Sequence, residues 1–135
     1  MKTILTFGVY DMLHIGHILL FKHIKEMFPD QSRLIVAVQH SDCILKYKPE
    51  AKMVYSTDER VFMVGAVRWV DEVVIYNDVD IDIKKIDFDV LVKGPDQFHS
   101  GFQRAVEWCE QNGKLVVTIP RTEGISSSLL KHYKL

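Results

Sequence analysis

Two histidines, His14 and His17, stand three residues apart where an apolar run gives way to an amphipathic one, and this spacing suits phosphate handling. Residues 3–7 read as a buried strand, and the segment starting at about residue 17 has the periodicity of a helix. A helix placed there begins with unpaired backbone N–H groups and a positive dipole end, both of which attract a phosphate. Residues 14 and 17 project toward the same face, so two imidazoles can meet one polyphosphate. Gly8 lets the backbone approach a ligand closely, and Gly16 keeps the helix entrance free of a side chain. Asp11, in the intervening turn, either orients a histidine, meets a magnesium ion or stabilises the turn itself. The plain alternatives are a metal pair or two capping histidines, and a metal is disfavoured because no third ligand lies nearby in the sequence.

The elements that must position these groups alternate along the chain. Strand-like runs at 3–7, 34–38, 73–76, 90–92 and 115–119 are separated by helical stretches from about 17 and 57, near 81–86, near 102–111 and from 127. Such alternation predicts an α/β fold: one domain over 1–135, a Rossmann-like parallel sheet with helices on both faces. Ser56-Thr57-Asp58-Glu59 has the form of a capping box, and Asn112-Gly113 marks a helix stop. The stretch 46–52 has the composition of a loop. In open sheets of this kind ligands bind beyond the carboxyl ends of the strands.

A formal charge of −1, with basic and acidic residues interspersed, argues against a nonspecific nucleic-acid binder, so any cationic site must be local. Cys43 and Cys109 lie far apart and outside any CxxC pattern, which points to plain thiols in a reducing compartment and a cytoplasmic protein. The first residues run straight into the strand and the histidine motif, unlike a signal peptide, and no apolar stretch is long enough to span a membrane.

The string His14-Ile15-Gly16-His17 resembles the HxGH signature of the nucleotidyltransferase superfamily, which is shared with class I aminoacyl-tRNA synthetases. Pro120-Arg121-Thr122-Glu123-Gly124-Ile125-Ser126-Ser127-Ser128 is similar to the RTEGIS segment of the small bacterial cytidylyltransferases of the glycerol-3-phosphate type. Arg68-Trp69-Val70-Asp71-Glu72-Val73 is similar to their RYVDEV run. The resemblance implies transfer of CMP from CTP to a small phosphomonoester with release of pyrophosphate. It also implies magnesium carried by the CTP phosphates, a homodimer, and a CDP-linked product for a surface polymer or lipid headgroup.

By the same resemblance His14 and His17 contact the triphosphate, and Lys46 or Lys48 belongs to a lysine-bearing loop that closes over it. Gly8, Val9, Tyr10, Asp11, Gly16, Lys93, Asp96, Arg121, Thr122, Ile125, Ser126, Ser127 and Ser128 would line the nucleotide site, Arg121 taking part in catalysis as well. Arg60 and Arg68 would meet the acceptor phosphate, with Gln97 and His99 beside them. The pattern departs from the glycerol-3-phosphate enzymes at Val9, Pro95 and Gln97, where threonine, an acid and tryptophan are usual. Glycerol 3-phosphate is the nearest acceptor by resemblance, but Gln97 offers an amide in place of an aromatic face, which favours an acceptor with polar groups beyond a diol, such as phosphoglutamine, and disfavours glycerol 3-phosphate. Phosphoethanolamine, phosphocholine and polyol phosphates are further alternatives, as is an adenylyltransferase of the same superfamily. A synthetase fragment would need a KMSKS-like loop, which is lacking, and a noncatalytic regulator would not need both histidines and the serine triplet.

Overall fold

The computed structural model describes residues 1–120. Its strands are β1 (Lys2–Gly8), β2 (Ser32–Gln39), β3 (Glu72–Tyr76), β4 (Val90–Lys93) and β5 (Leu115–Thr118). The helices are α1 (Ile15–Met27), α2 (Ser41–Tyr47), α3 (Thr57–Gly65), α4 (Val79–Asp82), which runs into a 3-10 turn at Ile83–Lys85, and α5 (Ser100–Gln111). All strand pairs are parallel, in the order β3-β2-β1-β4-β5. The chain therefore builds outward from β1 to β3, then crosses over to add β4 and β5 on the other side. This reversal between β1 and β4 is where an α/β sheet opens a crevice.

Alternation along the strands divides the core between two faces. Leu5, Phe7, Ile35, Ala37 and Leu91 pack against Val79, Ile83, Phe102, Ala105 and Cys109 of α4, the 3-10 turn and α5. Ile4, Leu34, Val36, Val38, Val90 and Val92 pack against Phe21 and Ile24 of α1 and Val64 of α3. The capping box of α3 is formed, Ser56 Oγ accepting from Glu59 N–H and Glu59 accepting from Ser56 N–H. At the stop of α5 Asn112 is the C-cap and Gly113 takes φ +70°, a conformation suited to glycine.

Two boundaries differ from the sequence expectation. Helix α1 starts at Ile15 rather than about 17, because the His14 side chain caps it, so both histidines belong to its entrance. Helix α2 occupies the first part of the stretch read as a loop, leaving Lys46 in its last turn and Lys48 at its C-cap. Its seven residues are too few to display helical periodicity, and it is started by a His40 cap accepting from Asp42 N–H. The helix expected from 127 lies outside the described residues.

Candidate active site

At the carboxyl end of β1 the chain turns through Tyr10, whose φ of 55° is left-handed, and swings its ring back over Gly8. A Cβ on Gly8 would stand 2.5 Å from that ring, so this glycine makes room for Tyr10 rather than for a ligand. Tyr10 is buried, meets His17 edge-on at 5.2 Å and touches Phe21 of α1. Burial pushes its phenol pKa far up, so it stays protonated. The turn thus presses α1 and its first histidines against the end of β1.

His14 Nδ1 accepts the Gly16 N–H at 3.0 Å, and His17 Nδ1 accepts the His14 N–H at 3.2 Å. The two rings stack with centroids 3.9 Å apart. Because each Nδ1 is an acceptor, the hydrogen-bond network assigns the remaining proton of each neutral ring to Nε2. Burial lowers the pKa of His14, and burial together with the neighbouring His14 pushes that of His17 down to about 4. At neutral pH the pair is therefore two uncharged Nε2–H donors held rigidly at a helix N-terminus. Such donors can follow charge developing on a phosphate without a proton transfer.

Asp11 is engaged by backbone rather than by a histidine. Its carboxylate accepts N–H bonds from Val54 at 2.9 and 3.1 Å and from Tyr55 at 3.0 Å, pinning the segment before α3 to the histidine turn. Among the described residues no group of three His, Cys, Asp or Glu side chains could hold a metal ion.

Arg60, expected at the acceptor phosphate, is instead fully buried. Its Nη1 donates to Val9 O at 2.9 Å and Gln39 O at 2.7 Å, and its Nη2 to Ser41 Oγ at 2.7 Å and Thr57 Oγ1 at 3.3 Å. Nε reaches Tyr55 O at 3.4 Å, so every donor nitrogen is engaged by protein. Desolvation lowers the guanidinium pKa, which the nearby Asp11 opposes. Arg60 is a clamp on the ends of β1 and β2, and the fork that suits a phosphate dianion is the same fork that suits converging carbonyls. Arg68 is exposed and stacks on Trp69 at 5.4 Å in the loop before β3. In a parallel sheet that loop lies at the amino edge, so within one copy of the chain Arg68 is separated from the histidines by the length of the strands.

Gln97 is likewise not turned to an acceptor. Its Nε2 donates to Phe7 O at 2.7 Å and its Oε1 accepts from Gly94 N–H at 3.1 Å. His99 caps α5 through Nδ1, accepting from Gly101 N–H at 3.1 Å, so only its Nε2 is left to meet a ligand. Lys93 closes β4 on the crevice side and Asp96 is exposed in the turn after it, while Lys46 and Lys48 are exposed beyond β2. Val9 contributes its carbonyl to Arg60, and Gly16 its N–H to His14. Arg121, Thr122, Ile125, Ser126, Ser127 and Ser128 lie outside the described residues. The sequence reading missed Gln39, Ser41 and Thr57, which hold Arg60; isolated polar residues at strand and helix ends carry no pattern that would have marked them.

The cytidylyltransferase-like family matches residues 5–133. This chain belongs to that family of nucleotidyltransferases. It is 35% identical to the glycerol-3-phosphate cytidylyltransferase of Staphylococcus aureus (strain NCTC 8325 / PS 47), covering 97% of this chain and 93% of that protein. It is 38% identical to an FAD synthase of Thermococcus kodakarensis over 70% of this chain and 63% of that protein. Among solved structures, the lipopolysaccharide core biosynthesis protein from Thermoplasma volcanium GSS1 superposes with a TM-score of 0.69 over 90% of this chain and 97% of that one. At 19% identity it shows the shared fold, the Rossmann-like parallel sheet expected from the sequence.

Proposed function

We propose that this nucleotidyltransferase transfers CMP from CTP to a small phosphomonoester, releasing pyrophosphate. The observation that carries the reading is the locked pair of Nε2–H donors at the N-terminus of α1, beside the β1/β4 crevice. The acceptor's second phosphate ionisation has a pKa of about 6, so it meets the enzyme as a nucleophilic dianion and needs no general base. An acceptor oxygen forms a bond to the α-phosphorus as the bond to the bridging oxygen breaks, and pyrophosphate carries the electron pair away. His14 and His17, with the helix dipole, stabilise the charge that builds on the phosphates, and the rigid turn supplies alignment. Magnesium we assign to the incoming nucleotide rather than to the protein, since Asp11 is engaged by backbone.

Glycerol 3-phosphate is the acceptor that similarity to the Staphylococcus aureus enzyme favours. The argument against it from Gln97 falls away, because that amide is bound to the chain's own backbone. A homodimer fits the exposed Phe62 on α3 and Ile75 on the edge strand β3. Similarity to FAD synthase supports adenylyl transfer as a second reading.

A pyrophosphate-release screen tests both readings, pairing each of the four nucleoside triphosphates with glycerol 3-phosphate, phosphoethanolamine, phosphocholine and phosphoglutamine. CTP with glycerol 3-phosphate should give the highest kcat/KM, at least about tenfold above any other nucleotide, within the range of about 5- to 150-fold that an unmade buried hydrogen bond costing about 1–3 kcal/mol allows. Preference for ATP would establish the second reading, and no turnover with any pair would overturn the first.

A further inference from the structure

The side chain of Gln97 stands where a rung of the sheet should be. Strands β1 and β4 pair through Ile4↔Val90, Leu5↔Leu91 and Thr6↔Val92 and then part. In a parallel ladder alternate residues turn their peptide groups to one neighbour. Lys93 turns to β5, accepting from Ile119 N–H at 2.9 Å, so Gly94 turns to β1. On β1, Thr3 O accepts from Asp89 N–H at 2.8 Å, so Thr3, Leu5 and Phe7 turn to the β4 side. The next rung would therefore run from Gly94 N–H to Phe7 O. Instead the Gln97 carboxamide is inserted between these two groups, accepting from Gly94 N–H and donating to Phe7 O. It acts as an extra peptide unit, satisfying both ends of the missing bond while holding the strands one amide apart. A backbone turn, Gln97 N–H to Gly94 O at 3.3 Å, fixes the residue that carries it.

The strands part at the point of functional interest. Phe7 leads directly into Gly8, Val9 and Tyr10 of the histidine turn, and Gly94 into Pro95 and Asp96 on the other side of the crevice. We propose that Gln97 is a positioning residue that sets the width of the nucleotide crevice by bridging Phe7 O and Gly94 N–H, without touching either substrate. The proposal rests on the crevice being the nucleotide site, as argued above. It explains why a side chain at this position can differ from the usual tryptophan while both histidines are kept: a carboxamide spacer does its work from inside the sheet.

Two variants test it. Gln97→Met keeps the length of the side chain and removes both polar atoms. The bridge is then lost, and kcat/KM for CTP should fall about 10- to 100-fold, the order expected for misalignment of about 1 Å, by the same factor with every acceptor. Gln97→Glu keeps the acceptor for Gly94 N–H but, when ionised, opposes Phe7 O with a second oxygen. Its activity relative to wild type should be low at neutral pH and recover on acidification, when the protonated acid again donates to Phe7 O. Loss confined to one acceptor would make Gln97 a substrate contact and overturn the proposal, as would unchanged kinetics in both variants. Amide resonances separate this outcome from failure of the functional reading. Gln97→Met should speed hydrogen exchange at Gly94 and shift the amides of Gly8 and Tyr10 across the crevice, even if the wild-type chain turns over no nucleotide. Shifts confined to 94–97 would refute the spacer.

Discussion

His14 and His17 act as a unit, because the side chain of one and the backbone of the other share a hydrogen bond. On the proposed reading, removing either ring loses a transition-state donor, and His17→Ala also frees the His14 N–H. His14→Ala and His17→Ala should each lower kcat by about 10²–10³-fold, checked by steady-state turnover with folding followed by circular dichroism. Wild-type turnover in either variant would make that histidine a cap alone. The pH dependence follows from the lowered pKa of His17, about 4 against an ordinary 6.5. As pH falls below 6.5 the unfolded chain takes up a proton that the folded chain refuses until about 4, so the stabilisation is complete above 6.5. It is lost between those two values, to the extent of about 2 kcal/mol after allowance for partial exposure. The acid limb of kcat/KM should instead follow the acceptor's second ionisation, near 6, and move when the acceptor is changed. The spacing of the two histidines was legible in the sequence. Their neutral, proton-locked state was not, since it depends on which backbone N–H groups the fold places against each Nδ1.

Three helix starts at the carboxyl edge of the sheet share one device: His14, His40 and His99 cap α1, α2 and α5, each accepting an N–H two residues on. The capping box of α3 could be read from Ser56 and Glu59, because serine and glutamate at that spacing are a local signal. The caps by His40 and His99 could not, and α2 was hidden for the same reason together with its shortness. Arg60 shows the limit most plainly. A lone arginine in a helix reads as solvated or ligand-binding until the fold brings Val9 O, Gln39 O and Tyr55 O around it. Arg60→Met would strand these carbonyls beneath the site. The variant should lose about 3 kcal/mol in urea unfolding, an unsatisfied buried acceptor costing 1–3 kcal/mol, with CTP and acceptor kinetics weakened together. Undiminished stability with a selective rise in KM for the acceptor would return Arg60 to the acceptor site.

At the scale of the whole molecule, the two cores lie on opposite faces of one sheet, and the strand order reverses between β1 and β4. This architecture was legible from the alternation of strands and helices, because each short apolar run had to pair in parallel with another. Which edge of the sheet each loop occupies was less so: Arg68, expected at the acceptor phosphate, lies in the loop before β3 at the amino edge. A nucleotide across the crevice would contact a turn from β1, the start of α1 and the turn after β4, three segments far apart in sequence that come together only in the folded chain. Its binding should therefore stabilise the fold as a whole. At a free concentration 100 times Kd the gain is about 2.7 kcal/mol, which for a domain of this size raises Tm by about 10 °C. With a net charge of only −1 there is no general attraction for anions, so the gain must come from the local donors. On the proposed reading the histidine pair contacts the triphosphate, so differential scanning fluorimetry with magnesium should rank CTP above CMP at equal concentration. Replacing both histidines by alanine should bring CTP down to the level of CMP. Equal shifts from CTP and CMP in the wild type would place the phosphates away from His14 and His17 and sever the link between the locked donors and the reaction.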